Sequence, residues 1–312
     1  MVLLLQYMLL FASVLALVAL GGCFSEHSGI INLGLEGIMV VGALGGALVL
    51  KYMPVDVPGF ITVIVTLVGA IAFGMLYSAL LGVAAIHFNA DQTLIGTAMN
   101  MLATAVSAVI VKAINLSVDS SDVSSVVYYI DNRPDLTVQI GGFEFNWFML
   151  VAVVAVIAAY VVLYKTRFGL RLMACGENPQ AANSVGIDVF KMRWAGVLIS
   201  GMLGGLGGIA YITAGSSWTF ENGVAGYGFL ALAVMIFGQW KPHRIALAAL
   251  LFGFFRSLGS VYSGIPLLAS MNIPSTVYNL LPYIISLIVL AFSSKNSMAP
   301  KAEGIPYDKS TR

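Results

Sequence analysis

Three histidines, His27, His87 and His243, and two cysteines, Cys23 and Cys175, are the chain's only imidazole and thiol side chains. None has a second ligand at the spacing a zinc site uses. No HExxH helix, GxSxG elbow or G-x-x-x-x-G-K-[ST] phosphate loop occurs. No catalytic residue and no metal ligand is therefore assigned, the chain is read as no enzyme, and it has no phosphate loop with which to hydrolyse a nucleotide. The run Gly201-Met-Leu-Gly-Gly-Leu-Gly-Gly208 is not a dinucleotide fingerprint, because no strand precedes it and it lies inside an apolar stretch. Its spacing pairs Gly201 with Gly205 and Gly204 with Gly208, small residues that let membrane helices approach closely.

Chemistry of another kind is suggested by polar groups inside apolar runs. Glu36 and Arg256 are ionisable residues set among hydrocarbon, where charge is costly and defaults to a functional or paired role. Glu36 either lines a solute pathway or braces neighbouring helices, and the glycines around it favour bracing. Arg256 pairs with an acid, faces a pathway or snorkels outward. Asn32, Gln92, Thr93, Thr97 and Asn100 add hydrogen-bonding groups; the last three recur at helical spacing and could form one polar stripe. Asn32, Glu36, Gln92, Thr97 and Asn100 are the candidate pathway residues. Helix–helix hydrogen bonding and end capping are the competing roles.

The elements that must position these groups follow from composition. Of 312 residues, 59% are hydrophobic and 9% charged, too few charges to cover a water-facing globule of this length. A net charge of +1 gives no bulk basic field, so no nucleic acid is expected. The fold class is an all-α polytopic membrane protein. About nine stretches are long enough, or nearly so, to cross the bilayer: Val2–Gly22, Ile30–Leu50, Phe60–Ile86, Thr93–Ala113, Trp147–Tyr164, Trp194–Thr213, Tyr227–Trp240, Ile245–Tyr262 and Thr276–Phe292. The seventh is short and is expected to be tilted, broken or re-entrant. Leu20-Gly21-Gly22-Cys23 resembles a lipoprotein cleavage box but lacks a positively charged leader, so both cysteines are expected as reduced free thiols.

Nine alternating crossings place eleven Lys and Arg residues on one side: Lys165, Arg167, Arg171, Lys191, Arg193, Lys241, Arg244, Lys295, Lys301, Lys309 and Arg312. Basic loops face the cytoplasm. The N-terminus is thus expected outside and the C-terminus inside. A transmembrane domain of residues 1–293 would carry an outside loop at 114–146, with a hairpin around Gly141-Gly142, and a cytoplasmic loop at 166–193. Residues 294–312 would form a cytoplasmic tail.

That cytoplasmic loop reads TRFGLRLMACGENPQAANSVGIDVFKMRW through Trp194. Asn178 suits a helix cap, Pro179 its first turn and Gly186 its left-handed exit. A helix of about two turns, roughly 10 Å long, follows. It is too short to be stable alone and needs a supporting surface.

On this loop the chain resembles the permease subunits of ABC importers, in the ribose and branched-chain amino acid permease superfamily. Ser28-Gly29-Ile-Ile-Asn32-Leu-Gly34-Leu-Glu36-Gly37-Ile-Met39, Gly226 to Pro242, and Ala299-Pro300-Lys301 to Lys309 are similar to the nucleoside and simple-sugar branch. The resemblance implies half of an importer in a bacterial cytoplasmic membrane, translocating a nucleoside or related sugar-containing solute. It implies a second homologous permease subunit, an ABC ATP-binding subunit that holds ATP and Mg, and an external substrate-binding lipoprotein of the basic-membrane-protein type. Gly176, Glu177, Asn178, Pro179, Ala181, Ala182 and Gly186 would then couple to the ATPase. A stand-alone ion-coupled secondary transporter is the alternative. An inverted repeat relating spans one to four to spans six to nine is also expected.

Overall fold

The computed structural model describes residues 2–54, 56–129, 133–214, 219–264, 274–293 and 298–309. Its helices are α1 (Val2–His27), α2 (Leu35–Tyr52), α3 (Gly59–Gly82, continued by a π-helical turn Val83–His87), α4 (Gln92–Val118), the single turn α5 (Arg133–Leu136), α6 (Trp147–Lys165), α7 (Arg167–Glu177), α8 (Pro179–Ser184), α9 (Val189–Ala214), α10 (Tyr227–Phe237), α11 (Pro242–Val261) and α12 (Ser275–Ser293). Seven of them, α1, α2, α3, α4, α6, α9 and α11, are long and apolar enough to cross a membrane. The chain is a polytopic helical membrane protein, as its composition requires.

Four spans have an end five residues from the expected position: α4 runs past Ala113 to Val118, α9 starts at Val189 ahead of Trp194, and the first two spans differ for visible reasons. The first continues past Gly22 to His27, because Glu26 and His27 find partners on Trp240: the indole N–H donates to Glu26 Oε2 at 2.5 Å, and His27 Nε2 meets the Trp240 carbonyl at 3.0 Å. The second starts at Leu35 rather than Ile30. Residues 28–34 are irregular backbone, although Ile30, Ile31 and Leu33 are apolar. The seventh span is the short α10, whose 11 residues cover about 16 Å, half the hydrocarbon thickness.

Helices α1 and α9 form the centre, and their buried residues run almost unbroken from Leu10 to Glu26 and from Gly196 to Ala214. They pack on each other; α1 also packs on α10 and α11, and α9 on α2 and α3. Glycine makes the closest approaches possible. A Cβ on Gly208 would stand 2.0 Å from the Met39 carbonyl oxygen, and one on Gly42 would stand 2.2 Å from the Gly205 Cα. The spacing expected to permit helix contact is therefore used for contact. Outward, α3, α4, α6 and α12 present Leu76, Met101, Ile157 and Leu287.

Connections gather on two faces. On one, the hairpin β2 (Thr137–Ile140) and β3 (Phe143–Asn146) pairs in the expected place, with Gly141 and Gly142 at φ 56° and 83° as a primed turn requires. It lies beside the start of α1 through a 3.4 Å hydrogen bond from Gln6 to Glu144. Strand β1 (Val127–Tyr128) pairs antiparallel with β4 (Thr219–Phe220) on the same face. On the other face lie the α1–α2 break, α7, α8 and the chain segment 299–309, joined by backbone hydrogen bonds.

Candidate functional site

Helix α8 forms where its residues dictate. The Asn178 side chain accepts the Ala181 N–H at 3.0 Å, Pro179 occupies the first turn, and Gly186 exits at φ 85°. The Gly186 and Ile187 amides return to the Asn183 and Ala182 carbonyls and close the end. One side is presented outward: Glu177, Asn178, Ala181, Ser184, Val185 and Gly186 are exposed, and Val185 is 77% accessible. The other side is packed. Ala182 sits in an apolar cluster with Cys175, Val189 and Tyr307. Burial pushes the Cys175 thiol up to about 11, so it stays protonated. Asp188 caps the start of α9 by accepting the Lys191 N–H at 3.1 Å and pairs with its ammonium at 3.1 Å. These contacts hold its carboxyl below the ordinary range.

The supporting surface for α8 comes from α7 and from the end of the chain. Gln180 Nε2 donates to the Asp308 carbonyl at 2.9 Å. Ala302 N donates to the Gly176 carbonyl at 2.8 Å, and Gly304 N to the Gly29 carbonyl at 3.1 Å. Arg193 is buried, donates to the Ile305 carbonyl at 2.9 Å and lies over the Tyr307 ring at 5.8 Å. Gly176 faces inward rather than outward: a Cβ there would meet the His27 carbonyl oxygen at 2.4 Å. The segment 299–309 thus clips α7 and α8 to the break between α1 and α2.

Three of the polar residues singled out above serve that break. Asn32 is fully buried; its Nδ2 donates to Ser200 Oγ at 2.8 Å and its Oδ1 accepts the Gly34 N–H at 3.1 Å. Gln92 Oε1 accepts the Ile31 N–H at 2.7 Å. Asn100 accepts the Gly37 N–H at 2.8 Å and donates to the Leu33 carbonyl at 2.9 Å. Irregular backbone at membrane depth must have such partners. Thr93 and Thr97 instead lie on the exposed side of α4, where Thr97 Oγ1 donates back to the Thr93 and Leu94 carbonyls.

Glu36, in the first turn of α2, reaches the N-terminus of α10. Its two oxygens accept the Gly226 and Gly228 amides at 2.8 and 2.7 Å. A helix start leaves its first amides without intrahelical partners and carries partial positive charge, so a carboxylate there satisfies both. Gly228 must be glycine for this contact, since a Cβ would come 2.4 Å from the Glu36 amide nitrogen. Arg256 Nε donates to the Tyr227 hydroxyl at 2.7 Å, and its guanidinium lies 5.2 Å from the Phe11 ring. Among the described residues no three His, Cys, Asp or Glu side chains gather as a metal set.

The sequence has known relatives. Residues 4–291 match the family described as the permease component of branched-chain amino acid transport systems. The chain belongs to that permease family. It is 39% identical to the nucleoside ABC transporter permease protein NupC of Lactococcus lactis, over 97% of this chain and 96% of the relative. It is also 39% identical to the guanosine ABC transporter permease protein NupQ of Bacillus subtilis, over 97% and 96%. A putative glucose ABC transporter permease of Haloferax volcanii, TsgC13, is 30% identical over 84% of this chain and 78% of its own. As a permease of this family, the chain is a membrane protein.

Residues not singled out for a role in the sequence stand beside this site. Glu26, Ser200, Trp240 and Tyr307 all hold elements together, and each is distant in sequence from its partner. Helix α7 is likewise absent from the elements expected above. The alternation of Arg167, Arg171, Phe168 and Leu172 at helical spacing was the signal available for it.

Proposed function

We propose that this chain is the membrane-spanning permease subunit of an ATP-driven ABC importer for a nucleoside. The full-length match to relatives named for nucleoside and guanosine transport carries this reading. The motor and its ATP would belong to a separate ABC subunit, and a second homologous permease would complete the translocation path. An external binding lipoprotein would deliver the solute. A stand-alone ion-coupled carrier is disfavoured, because Glu36 already caps α10.

In this reading the face bearing α8 is cytoplasmic and the hairpin face is external, following the basic clusters. The exposed side of α8, with Glu177, Asn178, Ala181 and Gly186, meets the ATPase, while Gly176 and Ala182 seat the helix from behind. The clip from segment 299–309 to Gly29 supports a rigid transmission: a push on α8 reaches the α1–α2 break, and Glu36 carries it to α10. The exposed threonines of α4 are left to face the partner subunit and the pathway, whereas Asn32, Gln92 and Asn100 serve the broken backbone. The reciprocal packing of α1 on α10 and α11, and of α9 on α2 and α3, supports an inverted repeat whose halves exchange their first helices.

The test is uptake into liposomes by the complete complex, offered purine nucleosides, pyrimidine nucleosides and free sugars. ATP-dependent accumulation of a nucleoside is expected, and the subunit alone should accumulate nothing. Uphill accumulation by the isolated chain would overturn the reading.

A further inference from the structure

A polar cavity of about 380 Å³ opens between the beginning of α1, the end of α9, the outer half of α11 and residues 219–223. Small-molecule sites begin at about this size, roughly 300 Å³. Tyr7, Phe11 and Tyr211 supply its aromatic walls, with Arg256, Glu221 and Ser260 as polar groups. The walls are mutually braced. Tyr7 and Phe11 stack at 6.0 Å and 19°, and Tyr211 contacts Tyr227 at 4.7 Å. Tyr227 accepts from Arg256 and fixes the plane of the guanidinium. The larger cavity, about 460 Å³ between α1, β3, α6 and α11, is lined almost wholly by hydrocarbon, with Ser13 its one polar side chain, and has little with which to orient a polar solute.

The chemistry of the polar cavity is selective. Ring faces take a flat π-system, because every base offers one for stacking. A guanidinium only donates, so it suits the carbonyl and ring-nitrogen acceptors of a base. Glu221 only accepts, so it suits ribose hydroxyls or base N–H groups. One positive and one negative group cancel, so a phosphorylated nucleotide gains no net attraction. The lining thus fits an uncharged solute with a flat aromatic part and both donors and acceptors.

We infer that this cavity is a nucleoside-binding subsite within the subunit, on the face away from α8, where the solute halts before crossing. The inference rests on the nucleoside reading above and deepens it. Tyr227 is the first residue of α10 and holds Arg256, so a tilt of α10 disturbs the guanidinium and loosens the site. Coupled motion and release would share one contact.

The experiment uses the complete complex in liposomes with guanosine, together with an azido-guanosine photoprobe mapped by mass spectrometry. If the wild-type complex moves no nucleoside, the nucleoside reading itself fails. If it does, Ser260→Trp, which fills the cavity from an exposed rim position, should cut maximal uptake at least tenfold and abolish labelling near Tyr211. The half-saturation set by the external receptor should stay unchanged. Arg256→Gln should do the same, with partial rescue by Arg256→Lys. Labelling competed by nucleosides but not by amino acids supports the subsite. Normal uptake by Ser260→Trp, labelling confined to other helices, or stronger competition by a zwitterionic amino acid overturns it.

Discussion

Glu36 accepts the backbone N–H of Gly228 at 2.7 Å across 192 positions of sequence, joining the first turn of α2 to the first turn of α10. Two broken spans therefore meet at one carboxylate, and the loose end of each is tied to the other. Removing that carboxylate leaves two amides without partners inside the membrane. Glu36→Ala should cost about 2–5 kcal/mol and lower the folded yield sharply, with Glu36→Gln intermediate because one oxygen remains. Thermal unfolding in detergent and monodisperse yield measure this. Unchanged stability with altered substrate preference would assign the residue to the pathway instead.

The two alanines of α8 separate docking from folding. Ala181 is exposed and Ala182 is 4% accessible beside Tyr307. Ala181→Asp should leave a stable protein that fails to retain the ATPase and loses at least tenfold in uptake. Ala182→Asp buries an unpaired carboxyl and should cost roughly 2–4 kcal/mol. Co-purification with the ATPase and melting temperature distinguish the two, and equal losses of stability would contradict the assignment.

Gly208→Ala pushes a methyl against the Met39 carbonyl, whereas a Cβ on Gly264 meets nothing closer than 3.9 Å. The first should destabilise by about 1–3 kcal/mol and the second by much less. Parallel melting curves of the two variants check the difference. A harmless Gly208→Ala would mean that α2 and α9 can separate freely.

Glu303 gives a pH signature. It is half-buried, one carboxylate oxygen lacks a partner, and burial holds its pKa above the ordinary carboxylate range. An acid raised in the folded state leaves stability highest below its unfolded pKa. That stability is lost as pH climbs from the ordinary value to the elevated one. Glu303→Gln should remove this decline and melt about 1–3 °C higher at neutral pH. The difference between variant and parent, followed from pH 4 to 8, is the readout; a gap that widens toward acid would reverse the sign.

What could be read in the sequence was what short-range physics controls. The cap at Asn178, the turn at Gly186 and the hairpin at Gly141-Gly142 are local, and each forms where its residues predict. The break at 28–34 could not be seen from its apolar side chains, because the groups that permit it, Gln92, Asn100 and Ser200, lie 60 to 170 positions away. The same distance hid the partner of Glu36, although its neighbouring glycines pointed to bracing. Gly176 and Ala182 are coupling residues by resemblance, yet Gly176 faces the His27 carbonyl and Ala182 lies beside Tyr307 of segment 299–309. Patterning within a window cannot report a cover supplied from the far end of the chain.

The clip made by Ala302 and Gly304 has a consequence for biogenesis. Those residues follow α12 in the chain, so a nascent bundle lacks the Ile305 carbonyl that Arg193 bonds, and the Tyr307 ring beside it, until segment 299–309 has emerged. On the proposed function, a platform for the motor would then exist only once α1 to α12 have been threaded into the bilayer. Truncated products would be unable to recruit an ATPase, and no half-built gate would be driven open.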